Sequence, residues 1–201
     1  MCQLLETIRV RDNRLQHIAY HNNRVNASRS ALFGSDIPWD LSQIIKIPEL
    51  DPDITYRCRF LYAETPGLTE FIPYVKRVIR KLYVIDCGDF EYSLKYADRR
   101  VFEKLKAGIS DPEQSDILLV KRDLITDTAF SNVILWDGAT WYTPAEPLLK
   151  GTKREYYLDN KIIFERDIRL KDLPLYQTMK LINAMLDIED GEDIPVSNIM
   201  I

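Results

Sequence analysis

The chain has 201 residues, enough to bury a core as one large domain or two small ones, and 46% of them are hydrophobic. A net charge of −4, with no clustered basic arm, argues against nucleic acid as the main partner. No apolar run reaches the ~18–20 residues of a membrane span, and the first residues carry Glu6, Arg9 and Arg11 and do not read as a signal peptide.

The three dispersed cysteines form no CxxC, so a disulfide framework or a zinc site is not expected, and a reducing cytoplasm is the default. The seven glycines spell neither GxGxxG nor a phosphate loop, and GxSxG is missing too. His17 and His21 share one face of a helix, but they have no third ligand and read as structural, so no metal is expected.

Alternation over residues 4–10 predicts a strand. Residues 17–33 read as a helix that stops at Gly34, with Ile18, Val25 and Leu32 on its apolar side. Asp40 is placed to cap a second helix through Ile47, and Pro48 and Pro52 bracket a break. Residues 54–62 alternate, with Ile54, Tyr56, Cys58, Phe60 and Tyr62 on one face and Thr55, Arg57, Arg59 and Leu61 on the other. Residues 71–85 supply a further strand, and residues 86–89 read as a linker. The expected boundary therefore gives a small N-terminal α/β domain at 1–84 and a larger C-terminal domain at 85–201. In the second domain, residues 93–108 read as a helix burying Leu94, Val101 and Leu105, and residues 117–121 as a short strand. Asp137-Gly138 turns a hairpin between residues 132–136 and 140–143. Gly151 opens a helix to Leu158, and weaker strands follow at 161–164, 181–184 and 194–199. The pattern is mixed α/β in two parts.

Four features could carry chemistry. Lys95 lies near Arg99 and Arg100, and neighbouring positive charge lowers an ammonium pKa, which suits a Schiff-base lysine. A solvated surface lysine is the commoner reading of such a residue. Asp127 precedes an apolar strand, where a turn residue is the ordinary reading. Gly151-Thr152-Lys153 starts a helix whose N–H groups and hydroxyl can hold a phosphate, although many helices that begin this way bind nothing. Arg24, on a helix, can reach a phosphate bidentately, while most such arginines are simply solvated.

Their order resembles the fold-type IV pyridoxal-phosphate enzymes, the class IV aminotransferases with aminodeoxychorismate lyase among them. Residues 6–9 (ETIR) look like the family's FETIR strand, and residues 21–25 (HNNRV) like its HxxRL helix. Residues 95–99 (KYADR) look like the KxxNR of the lyase branch, residues 127–132 (DTAFSN) like ExxxxN, and residues 142–144 like the TP motif. Residues 151–154 (GTKR) look like GxTR, and residues 181–185 (LINAM) like the lyase-type NAL strand. The resemblance spans nearly the whole chain.

It implies a two-domain, D-amino-acid-aminotransferase-like (branched-chain aminotransferase-like) α+β fold, with pyridoxal 5'-phosphate (PLP) in the cleft between the domains and a homodimer in the cytoplasm. The C-terminal domain would carry Lys95 as the Schiff-base lysine, which also moves protons at the substrate α-carbon. Asp127 would pair with the pyridine nitrogen, Arg24 with the phosphate, and Thr152 and Lys153 would add backbone N–H groups beside Gly151. Leu149 would pack on a ring face. Arg99 would meet the ring's phenolic oxygen, and Asn183 and Ala184 would lie near phosphate and substrate. Arg57 or Arg59 could clamp a substrate carboxylate, with a charged outer strand face as the equal alternative, and Tyr92 could be a wall residue. The implied activity is transamination of an amino acid, with 4-amino-4-deoxychorismate lysis or an inactive homologue as alternatives. The departures are Asp127 for the usual Glu, Asp98 for Asn, Ala184 for a hydroxyl residue, and a chain that opens almost at the FETIR-like strand, without the strand that usually precedes it.

Overall fold

The computed structural model describes residues 2–201. The chain divides into two compact units, one reaching to Val75 and including Leu94–Asp98, the other formed by Lys76–Ser93 and Arg99–Ile201.

The first unit opens with β1 (Leu4–Arg11) and β2 (Arg14–Leu15). They are joined through Asp12 and Asn13, both left-handed at φ 50 and 53, a conformation that Asp and Asn tolerate best among residues with a Cβ. Next comes α1 (Ile18–Phe33), ended by Gly34 at φ 64, whose N–H returns to the carbonyls of Arg29 and Ser30. The short α2 (Leu41–Ile44) is capped by the Asp40 carboxylate, which accepts the Ser42 N–H at 3.0 Å. Then β3 (Tyr56–Tyr62) and β4 (Pro66–Pro73) complete an antiparallel sheet ordered β2-β1-β3-β4. Alternation buries Leu4, Ile8 and Val10 of β1 against Cys58, Phe60 and Tyr62 of β3, with Val25 and Leu41. Each large apolar side chain so buried stabilises the unit by roughly 1.5–3 kcal/mol. The other face of the sheet sets Arg9 directly across from Arg57, and Thr7 across from Arg59.

The second unit holds β5 (Lys81–Asp86), α3 (Arg100–Lys106), β6 (Ser115–Lys121), β7 (Leu124–Thr128), β8 (Asn132–Trp136) and β9 (Trp141–Pro144). They are followed by α4 (Thr152–Asp159), β10 (Phe164–Arg166), β11 (Thr178–Ile182), β12 (Ile194–Pro195) and β13 (Ile199–Met200). The mixed sheet runs β10-β9-β8-β7-β6-β5-β13, and β11 pairs with both β8 and β12. Its core gathers Leu82, Leu118, Ile125, Val133, Leu135, Met179 and Leu181. No helix of the described residues is long and apolar enough to cross a membrane.

The architecture differs from the expectation at several points, each with a local cause. The break between units falls at Val75, because residue 84 lies inside β5, whose register to β6 runs unbroken from Lys81 to Asp86. Residues 71–85 form the end of one strand and all but the last residue of another. The helix expected from residue 93 starts only at Arg100. The residues before it are captured as extended chain along β1, where the Leu5 N–H reaches the Lys95 carbonyl and the Ala97 N–H the Gln3 carbonyl, both at 2.9 Å. Leu94 and Tyr96 thereby pack on the first unit's core. In α1 Leu32 is exposed, and the buried face is largely polar: His21, Val25, Ser28 and Arg29.

Candidate active site

In the first unit, three polar side chains meet inside the apolar layer. Glu6 is wholly buried on the inner face of β1, between Leu4 and Ile8. His21 and Arg24 stand one turn apart on α1 and reach the same carboxylate. Arg24 donates Nε–H to Oε1 at 2.8 Å and Nη2–H to Oε2 at 2.6 Å, and His21 Nδ1 lies 2.6 Å from Oε2. Burial alone would push the Glu6 carboxyl up, but Arg24 and His21 together hold it down at about 2. Burial also lowers the pKa of His21, and the charges of Arg24 and Lys95 add to the effect. The Glu6 carboxylate opposes this lowering, and His21 donates Nδ1–H to it. Lys95 is half-buried, at the middle of the extended segment that borders β1. Thus Arg24 and Lys95, predicted from sequence, share this unit, while Glu6 and His21 were missed as site residues. Both stand in stretches quoted for the resemblance, ETIR and HNNRV, and Glu6 is besides a charged residue at an inward position of an alternating strand.

In the second unit, the sequence reading of Asp127 as a turn residue gives way to a position inside β7, 5% exposed. Its Oδ1 accepts Asn132 Nδ2–H at 2.6 Å, and its Oδ2 accepts the Leu149 N–H at 2.9 Å. Desolvation raises the carboxyl to about 7, against the opposing pull of these donors and of Arg154. Asn132 Nδ2 also donates to the Leu149 carbonyl at 2.9 Å. Gly151 closes over the same amide: a Cβ built there would lie 2.0 Å from Asn132 Oδ1. Asp127, Asn132, Leu149 and Gly151 are therefore one packed constellation. Asn132 closes the ExxxxN-like stretch of the sequence but was given no role of its own there, because its clamp on Leu149 joins residues 17 apart.

Gly151 caps α4, whose first residues Thr152, Lys153 and Arg154 are all buried. Two cations at the positive end of a helix are unfavourable unless compensated. Lys153 is paired with Asp187, and Arg154 with Glu155 at 3.0 Å and Glu165 at 2.6 Å. The Lys153 side chain is thus committed to Asp187. Asn183 donates Nδ2–H to Ser131 Oγ at 2.9 Å, and Ala184 follows it in the turn after β11. Arg99 lies in this unit, where it donates Nη1–H to the Tyr92 hydroxyl at 2.9 Å and Nη2–H to the Ala129 carbonyl, above the Phe102 ring. Tyr92 is buried as that partner.

On the outer sheet face of the first unit, Arg59 is paired with Glu70 at 2.6 Å. Arg57 faces Arg9, and its enclosed Nε has no hydrogen-bond partner among the described residues. Like charges placed opposite each other on a sheet repel.

The model of the amino-transferase class IV family matches residues 66–190. This chain belongs to the class IV aminotransferase family. An uncharacterized protein of Haemophilus influenzae (strain ATCC 51907 / DSM 11121 / KW20 / Rd) is 33% identical over 189 residues, 92% of this chain and 98% of that one. A crystal structure from Haemophilus somnus 129PT, provisionally described as a 4-amino-4-deoxychorismate lyase, is 30% identical and superposes with a TM-score of 0.82, covering 92% of this chain and 97% of its own. A hypothetical aminotransferase from Mycobacterium tuberculosis, in its PLP-bound form, is 19% identical over 96% of this chain and 80% of its own, with a TM-score of 0.74. The class IV matched stretch contains Lys95, Asp127 and Gly151, and Arg24 lies before it. The expected mixed α/β, fold-type IV architecture is the one this family member has.

Proposed function

We propose that this class IV protein is a PLP-dependent enzyme acting at the α-carbon of an amino-bearing carboxylate substrate. The observation that carries the reading is Asp127. Its carboxyl is buried and accepts hydrogen bonds from neutral donors, the Asn132 amide and backbone N–H groups at Leu148 and Leu149, while Arg154 acts on it without an ion pair. A buried carboxylate in such company is completed by a cationic N–H, which is what a protonated pyridine offers. The other groups have roles in the same reading. Arg24 would hold the phosphate, with the Thr152 and Lys153 N–H groups at the start of α4, where a helix leaves its first N–H groups without intrahelical acceptors. Leu149 would lie on a ring face, and Asn183 and Ala184 near the phosphate.

When bound, PLP supplies an electron sink that stabilises negative charge at the substrate α-carbon. Lys95 would hold the cofactor through Nζ and then take and return the proton at that carbon. Asp127 would keep the pyridine nitrogen protonated. Arg57 would take a substrate carboxylate, because Arg59 is already engaged by Glu70. Arg99 would act through Tyr92 and the turn at Ala129. A homodimer, with the amino-substrate as its small-molecule partner, belongs to the same reading.

Between the two branches of this chemistry, the similarity to the Haemophilus somnus protein favours lysis of 4-amino-4-deoxychorismate to pyruvate and 4-aminobenzoate. Transamination is the second reading, favoured by family membership itself. The test is borohydride reduction of the PLP-loaded protein followed by peptide mass analysis. A reduced adduct on Lys95, absent in Lys95→Ala, is expected, and an adduct on another lysine or none overturns the proposal. Release of 4-aminobenzoate against conversion of the cofactor to its amine form by amino acids then separates the branches.

A further inference from the structure

Glu6 occupies a position that alternation reserves for an apolar side chain. Its neighbours on that face of β1 are Leu4, Ile8 and Val10, all buried. A leucine there would avoid the cost of taking a carboxylate out of water. What the carboxylate provides instead is geometry. The guanidinium of Arg24 is a rigid planar fork, and two parallel hydrogen bonds from Nε and Nη2 fix both its plane and its direction. His21 grips Oε2 from the same side and so fixes the carboxylate rotamer in turn. The pair is graded in exposure: Glu6 is fully enclosed, while the Arg24 side chain is 14% exposed. The edge of Arg24 that faces Glu6 is therefore the inner one. Arg29, on the same helix, shows the contrast: it is buried against the Ile37 carbonyl, Ser35 and the Trp39 ring. Lys95 is close enough to act electrostatically on His21.

We infer that Glu6, backed by His21, is a positioning residue that aims the outer edge of Arg24 at a phosphate dianion. The inference rests on the reading that Arg24 holds the cofactor phosphate, and its test separates the two. The apo forms of wild type, Glu6→Gln and Arg24→Gln are titrated with PLP and with pyridoxal, which lacks the phosphate, and binding is followed by visible absorbance. Both variants should lose PLP affinity on the order of 10- to 100-fold, the range for groups that orient a binding residue, with pyridoxal affinity unchanged. If Arg24→Gln loses PLP affinity and Glu6→Gln does not, positioning by Glu6 is refuted while the phosphate reading stands. If Arg24→Gln binds PLP like wild type, the phosphate reading fails and this inference fails with it. Should Glu6→Gln not fold, Glu6→Asp keeps the charge but shortens the reach by one methylene. It should show the same loss confined to PLP, and an equal loss for both ligands would mark Glu6 as merely structural and overturn the inference.

Discussion

Replacing Asp127 by Asn gives two effects that separate by their pH dependence. In the folded apoprotein the carboxyl titrates at about 7, against 3.8 without burial. That difference corresponds to about 4 kcal/mol of stability. Below 3.8 the group is protonated in folded and unfolded chains alike, and burial costs nothing. As pH rises, the unfolded chain releases its proton first, so stability falls until the folded carboxyl has titrated near 7, and the penalty is constant above that. The amide has no such titration. It carries a fixed cost instead, because Asn132 and the Leu149 N–H both aim donors at this side chain and an amide offers one acceptor oxygen. A mismatched buried donor costs about 1–3 kcal/mol. The stability curves should therefore cross: Asp127→Asn is the weaker protein near pH 4 and the stronger one near pH 8, by about 1–3 kcal/mol at each end. Urea unfolding of both apoproteins across this range reads the difference, in which contributions from Glu6 and His21 cancel. Parallel curves would refute the argument that the Asp127 charge has no ion-paired cation in the apoprotein, where Arg154 acts on it only from beyond ion-pair distance. Saturating PLP should reverse the high-pH order, since a pyridinium pairs with the carboxylate and not with the amide.

Gly151→Ala has no backbone obstacle at φ −75, but its methyl would displace the Asn132 amide; a loss of about 1–3 kcal/mol in thermal unfolding, together with weaker PLP binding, is expected. Lys153→Met leaves the Asp187 carboxylate, 27% exposed, without its ammonium and should cost about 1–3 kcal/mol in urea titrations, with Lys153→Met/Asp187→Asn recovering part of it. Arg57→Gln should raise the substrate KM about tenfold or more, the cost of a lost charged hydrogen bond, with PLP affinity intact. Arg59→Gln, whose partner is Glu70, should change KM little.

Strands with clean alternation were legible in the sequence, as β1 and β3 show, because one face of each is core. The hairpin at Asp137-Gly138 and the end of α1 at Gly34 were legible from turn chemistry. The candidate site was visible in the sequence mainly as an order of motifs, because the environment of its residues depends on tertiary burial. Asp127 looks like a turn residue until β6 and β8 flank it. Residues 94–98 have helical spacing, and long-range pairing with β1 overrides it. Apolar spacing announced α1, but its buried face holds His21, Ser28 and Arg29 beside Val25, and that polar burial could not be read from periodicity. Asn132 and Glu6 act through partners far along the chain, to which local spacing is blind.

The segment carrying Lys95 has a consequence for how the chain can be made and cut. Beside β1, the short β2 covers only Val10 and Arg11, and the segment around Lys95 covers the start of the strand at Gln3 and Leu5. A nascent chain that has emerged only as far as Val75 therefore has an unfinished strand edge, which is not closed until the first strand of the second unit, β5, has also been synthesised. Such an open edge invites pairing with other chains. No single peptide bond separates the two units, and expression of residues 1–75 alone should yield a sticky fragment that lacks the segment around Lys95.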